Sequence, residues 1–290
     1  MHRPVCITYD STCDLTPQLL ERFRIRTIPL TIQSGERVFP DDGSYTSADL
    51  YDGYRKDGTL PKTSAISPEE FRSFFSAILD EGFDIVHIDI SSDLSCTCQN
   101  AVMAAQELAD KGAIHVVDSR QLSTGGGLLA LQGAKLRDDG MAASDIAAEL
   151  RRLAPLSDTS FVLDTLEYMW KGGRCSGVTA LGANMLKLKP SLEIRDGKLV
   201  VCKKYRGAME KVYRQYVTER LADKVVVDDW AFITHSGEVS EKTLQELTAL
   251  VRELAPFKEV FVTQAGCTVS SHCGPGTLGV LFLRQPAPTE

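Results

Sequence analysis

The chain has 290 residues, 43% of them hydrophobic and 24% charged, with a formal net charge of -7. Enough apolar material for sizeable cores excludes a disordered chain, and the length favours two domains. A mildly acidic chain without a basic stripe argues against binding nucleic acid or docking on anionic membranes, and no apolar run approaches the ~20 residues that span a bilayer.

The N-terminus enters a strand pattern at once, Val5–Tyr9, with no export-signal core before it. A cytoplasmic location is therefore expected, with the eight scattered cysteines reduced. After the polar turn Asp10-Ser11-Thr12-Cys13-Asp14, Thr16-Pro17 opens a helix with an N-cap and a first-turn proline. Ile25–Ile32 reads as a strand returning through a Ser34-Gly35-Glu36 hairpin. Ser47–Arg55 reads as helix and Gly58–Pro61 as loop, with Lys62-Thr63-Ser64 in the loop that leads to the Ser67 cap. Ser67-Pro68-Glu69-Glu70 is a capping box, and Phe71, Phe74, Phe75, Ile78 and Leu79 follow the helical period. Strand Asp84–Ile90, helix Ala101–Ala109, strand Ala113–Val117, helix Gly127–Leu136 and helix 144–153 continue the alternation. Strands alternating with helices predict a parallel, Rossmann-like sheet covered on both faces.

The Pro155–Asp158 turn marks a boundary, giving domains 1–156 and 157–290. The second half reads as strand Ser160–Leu163, a glycine-interrupted helical stretch Thr165–Lys187 and a hairpin about Asp196-Gly197. Helix Ala208–Leu221, strand Ala231–Thr234, helix 240–254 and strands near 259–263 and 278–283 follow. That order predicts a mixed α+β domain.

Ligands of open α/β sheets sit at strand ends. Three polar loops fall there: Asp10-Ser11-Thr12, Ser91 to Ser95, and Asp118-Ser119-Arg120 with Ser123 to Gly127. Each offers hydroxyls and free backbone N–H groups to an anion, although Ser, Thr and Asp are also simply good helix caps. Thr63-Ser64 offers two more hydroxyls. His272, followed by Gly274-Pro275-Gly276, can donate to an acid group where backbone approaches closely. Arg174 follows two glycines as an anion clamp or partner-facing cation. No phosphate-binding glycine motif is matched, so nucleotide binding has little support. Two other readings stay open: a hydrolase with Ser64 or Ser95 activated by His272, and a metal site from Cys96, Cys98, Cys273 and His272.

In order along nearly the whole chain come Asp10-Ser11 with Asp14-Leu15, Lys62-Thr63-Ser64 before Ser67-Pro68, and Leu94-Ser95 with Thr97. Asp118-Ser119 with the glycines to 127, Asp164-Thr165-Leu166-Glu167-Tyr168 through Arg174, Lys189-Pro190, Arg206-Gly207 and His272 with Gly274-Pro275-Gly276 follow. This ordered set resembles the DegV family. The resemblance implies a long-chain fatty acid buried in a tunnel at the domain junction. It implies the bacterial fatty-acid-binding subunit of a fatty acid kinase system, with no cofactor and no turnover of its own. A separate ATP-dependent kinase would phosphorylate the bound acid to an acyl phosphate, serving phospholipid synthesis. Thr63, Ser64, Ser95 and His272 fall on the carboxylate-binding positions, with Arg174, Thr97 and Gly274 supporting or facing the kinase. The family's Leu-Ser-Gly-Thr and following aromatic read Leu94-Ser95-Cys96-Thr97-Cys98 here, which places two thiols at the expected tunnel wall.

Overall fold

The computed structural model describes residues 3–179, 188–222 and 224–286. The chain begins with β1 (Val5–Asp10), a 3-10 turn at Ser11–Cys13, α1 (Pro17–Phe23), β2 (Ile25–Ile28), β3 (Thr31–Ser34) and β4 (Arg37–Pro40). It continues through α2 (Ser47–Asp57), β5 (Lys62–Ser64), α3 (Pro68–Asp80), β6 (Asp84–Asp89), α4 (Thr97–Glu107) and β7 (Ile114–Asp118). Next come α5 (Thr124–Asp138), α6 (Ala143–Leu153), a 3-10 turn at Ala154–Leu156, β8 (Ser157–Val162), α7 (Glu167–Gly172) and α8 (Ser176–Thr179). The described chain closes with β9 (Lys189–Arg195), β10 (Lys198–Tyr205), α9 (Met209–Leu221), β11 (Val226–His235), α10 (Glu241–Leu254), β12 (Glu259–Gln264), α11 (Cys267–Cys273) and β13 (Leu278–Arg284).

β2-β1-β6-β7 form a fully parallel sheet. The second half forms the six-stranded order β10-β9-β8-β13-β11-β12, in which β11 and β12 run parallel and the other pairs antiparallel. The expected α/β class, with a parallel sheet first and a mixed sheet after it, is what the chain adopts. Local chemistry sets several starts. Thr16 accepts from Leu19 N and Pro17 opens α1. Ser67 and Glu70 close a reciprocal capping box on α3.

α5 is the keystone. Its residues Thr124 to Ala134 are all buried, the pattern of a helix covered all round. It joins Ile7, Tyr9 and Val86 of the parallel sheet to Trp230, Phe232 and Leu281 of the mixed sheet in one apolar cluster. Gly125 and Gly126 let its first turn press against Thr159 and Tyr9, where a Cβ would overlap.

Two sequence readings need correction, and one unassigned segment gains an element. Ile25–Ile32 is not one strand. Pro29 cannot donate to a ladder, and the chain leaves the parallel sheet after Ile28 and joins another at Thr31. That third sheet, β4-β3-β5, takes up Lys62-Thr63-Ser64, read as loop, by pairing Ile32 with Thr63 and Thr31 with Ser64. The segment about His272, which the sequence pattern assigns to no element, is helix α11. Of the helical stretch Thr165–Lys187, α7 and α8 are observed, and residues 180–187 lie outside the described residues.

Candidate functional site

A cavity of about 370 Å³ opens between the two large sheets. Its apolar walls are Leu30, Ile90, Leu94, Leu122, Phe161, Met169, Leu199 and Val269, with the residues Cys96 and Cys273 beside them. Its polar side chains are Thr63, Ser64, Ser95, Arg174, Thr268 and His272. Ser64, Cys96 and Arg174 are exposed and mark the mouth, whereas Phe161 and Cys273 are buried.

Segments far apart in the chain place these polar side chains. Thr63 and Ser64 ride on β5, whose pairing with β3 fixes them. Ser95 sits in the loop after β6. Its hydroxyl is 2.8 Å from Thr97 Oγ1 and accepts from Thr97 N at 3.2 Å, so the buried Thr97 orients it from behind. Thr268 and His272 stand one helical turn apart on α11. The first half of the chain grips this helix at its N-terminus. Asp14 accepts from Gly266 N at 2.8 Å, and Asp41 accepts from Cys267 N at 2.8 Å and Thr268 N at 3.1 Å. Carboxylates at that end also suit the helix dipole.

His272 Nε2 lies 3.3 Å from Thr63 Oγ1. Its Nδ1 is buried without a partner among the described residues and lies against Gly172, whose missing Cβ leaves room for the ring. A buried N–H without an acceptor is rarer than an unfilled lone pair. We therefore assign the proton to Nε2, which donates toward Thr63 or toward any acid group in the cavity. Burial, and then the Arg174 charge, push the imidazole down to about 4, so it is neutral near pH 7. Arg174 itself donates to Gly172 O at 2.7 Å from an exposed position. Gly274 ends α11 at φ +75 and packs against Tyr168 outside the cavity.

The cavity thus brings together Thr63, Ser64, Ser95, Arg174 and His272, all read from the sequence, and leaves Thr97 and Gly274 in support. Thr268 was missed, and its buried hydroxyl has no partner among the described residues. The signal was its i, i+4 spacing from His272, legible only once this segment is known to be a helix. Cys98 is buried and does not line the cavity; Cys96 does.

The three strand-end loops bind one another rather than offering an anion site. Asp10 accepts from Thr12 N at 2.7 Å and from Ile90 N at 2.8 Å, and its burial beside Asp89 raises it to about 7. Ser91 donates to Gly197 O at 2.7 Å, and Ser92 to Asp118 at 2.6 Å. From these loops Leu94 and Ser95, with Leu122 just ahead of Ser123, reach the cavity. The hydrolase reading finds no activated serine, since neither Ser64 nor Ser95 hydrogen-bonds His272 among the described residues. Among them, too, no group of three His, Cys, Asp or Glu side chains is placed to hold a metal ion.

The fold and site define a mixed α/β protein with a largely apolar cavity that carries neutral hydroxyls and one imidazole, with the Arg174 cation at its mouth. The DegV family model, described as an uncharacterised protein family, matches residues 4–285, and the chain belongs to the DegV family. It is 30% identical over 282 residues to a DegV domain-containing protein of Deinococcus radiodurans, covering 95% of this chain and 97% of that one. Among solved structures it resembles a DegV family protein from Thermus thermophilus described by its fatty acid binding. That match has a TM-score of 0.86 and 30% identity, over 97% of this chain and 100% of the other. A Thermotoga maritima protein described as revealing a fatty acid binding function matches with a TM-score of 0.84 and 25% identity, over 98% of this chain and 100% of the other. No helix among the described residues is long and apolar enough to cross a membrane.

Proposed function

We propose that this protein binds a long-chain fatty acid in the cavity and presents its carboxylate to a separate ATP-dependent kinase. The observation that carries the reading is the pairing of apolar walls with a cluster of neutral donors at one helix, where Thr268 Oγ1 is buried without a partner among the described residues and His272 Nε2 lies 3.3 Å from Thr63 Oγ1. The likeness to the fatty-acid-binding proteins of Thermus thermophilus and Thermotoga maritima supports it.

A tail of about a dozen methylenes at ~0.8 kcal/mol each supplies at most ~10 kcal/mol before the costs of association. The headgroup then need only be satisfied, and hydroxyls with an imidazole offset much of its desolvation. Neutral donors also leave the carboxylate nucleophilic. One of its oxygens attacks the γ-phosphoryl group of ATP held by the kinase, a P–O bond forms, and ADP leaves. Thr63, Ser64, Ser95, Thr268 and His272 hold the carboxylate. Arg174, exposed at the mouth and turned to Gly172 O, faces the kinase. On this reading the chain needs no cofactor, acts in the cytoplasm and feeds acyl phosphate to phospholipid synthesis. We place the division between its halves at residues 156 and 157, where the second 3-10 turn leads into β8.

Native mass spectrometry of the purified protein tests the binding half. A co-purifying long-chain fatty acid is expected, and a ligand-free protein that cannot be loaded with one would refute it. Acyl-phosphate formation on adding a fatty acid kinase and ATP tests the presentation half.

A further inference from the structure

A second space of about 30 Å³ adjoins the main cavity, and Leu122, Phe161, Val269 and Cys273 line both. These four side chains are therefore a partition. On α11, Thr268 and His272 form one row toward the polar end. Val269 and Cys273 form the next row, toward the partition.

The rear chamber exists because Gly279 of β13 stands directly opposite Phe161 of β8. A Cβ there would lie 2.6 Å from Ser160 O and 3.2 Å from Phe161 Cβ, so no side chain fills the space. Its hydroxyls are all engaged elsewhere. Ser160 pairs with Tyr216 OH at 2.6 Å, and Thr277 donates to Cys273 O at 2.9 Å. Thr234 lies 2.6 Å and 3.0 Å from the hydroxyls of Thr124 and Thr263. Ser123 donates to Asp14 and Ser236 to Gly274 O. His235 also lines the chamber, its Nδ1 accepting from Gly237 N at 3.1 Å. A chamber whose hydroxyls are already engaged gives a water few partners and suits a hydrocarbon end.

We propose that Phe161, the largest side chain of the partition and only 5% exposed, is the stop that fixes the longest acyl tail this protein holds. The wild-type tail ends against its ring, and the chamber behind is unused reserve. This rests on the fatty-acid reading above. The reserve holds about two water-sized groups, comparable to two methylenes.

The test loads delipidated protein with a mixture of saturated fatty acids of increasing chain length and reads the bound lengths by native mass spectrometry. Phe161→Ala is expected to move the preferred length up by about two carbons, with affinity for the longer acid rising about fourfold per methylene and about fifteenfold for two. Leu281→Phe, which fills the rear chamber from its far wall, is expected to leave the wild-type profile unchanged and to reduce the gain of Phe161→Ala in the double variant. Phe161→Leu carries the same test with a smaller shift should the alanine variant not fold. An unchanged profile in Phe161→Ala and Phe161→Leu overturns the proposal, as does a shortened profile in Leu281→Phe alone, because the tail would then already pass Phe161. Wild-type protein that holds no fatty acid of any length overturns the binding reading itself, and with it this one.

Discussion

Gly172→Ala separates site geometry from stability. Gly172 is the last residue of α7 and keeps ordinary helical backbone angles, so alanine gains rather than loses helix preference there, by about 0.5–1 kcal/mol. Its new Cβ would overlap His272 Nδ1 and crowd Cε1 at 3.2 Å and Cγ at 3.3 Å. The imidazole must turn, which gives up the 3.3 Å approach of Nε2 to Thr63 and costs about 1 kcal/mol in rotamer strain. The two stability terms nearly cancel. The bound carboxylate loses a hydrogen bond of the kind worth about 1.5–3 kcal/mol, hence about 10- to 150-fold in affinity. Isothermal titration of delipidated protein with a fatty acid, beside urea denaturation, measures both quantities. In a double-mutant cycle Gly172→Ala should add little on a His272→Ala background, because both remove one contact. Affinity unchanged in Gly172→Ala, or full additivity with His272→Ala, refutes the assignment of His272 as a headgroup donor.

Thr268→Val removes a buried hydroxyl with no partner among the described residues. Its urea stability is expected to hold or rise by up to about 1 kcal/mol while fatty-acid affinity falls about tenfold; a clear loss of stability would show that the hydroxyl is engaged without ligand. Because His272 is held down to about 4 against an ordinary 6.5, the unfolded chain alone takes up its proton between those values. Its contribution is complete above pH 6.5, falls as the pH drops, and levels off below 4, losing about 2 kcal/mol by pH 5. Urea midpoints at pH 7 and 5 for wild type and His272→Gln isolate it, since subtraction removes the opposite slopes of Asp10 and Asp14, whose values burial raises. Arg174→Ala removes the second cause of that depression, so the His272 titration followed by NMR should move back toward its ordinary value. Fatty-acid affinity should change little, while turnover by a cognate kinase falls about tenfold or more. Equal loss of both would place Arg174 on the headgroup instead.

Most of the fold was legible locally. The Ser67–Glu70 capping box, the Thr16-Pro17 start and the Asp196-Gly197 turn are short-range chemistry, and their elements lie where that chemistry puts them. The third sheet was not legible, because Lys62-Thr63-Ser64 is only three residues long and becomes a strand by finding β3 about thirty residues away in the chain. The same limit hid α11. Its seven residues carry serine and threonine, poor helix formers, and two carboxylates from the other end of the chain cap it.

By itself, then, the sequence determined the α/β alternation, the change of sheet type near residue 157 and the polar residue types of the site, since these depend on periodicity and side-chain chemistry that neighbours in the chain supply. Only the tertiary structure decided which hydroxyls meet. It spends Ser91, Ser92 and Ser123 on tying loops together, keeps Ser95 and Thr63 at the cavity, and adds Thr268. A hydroxyl's role depends on whether a partner from a distant segment has already taken it, and that is settled by packing alone.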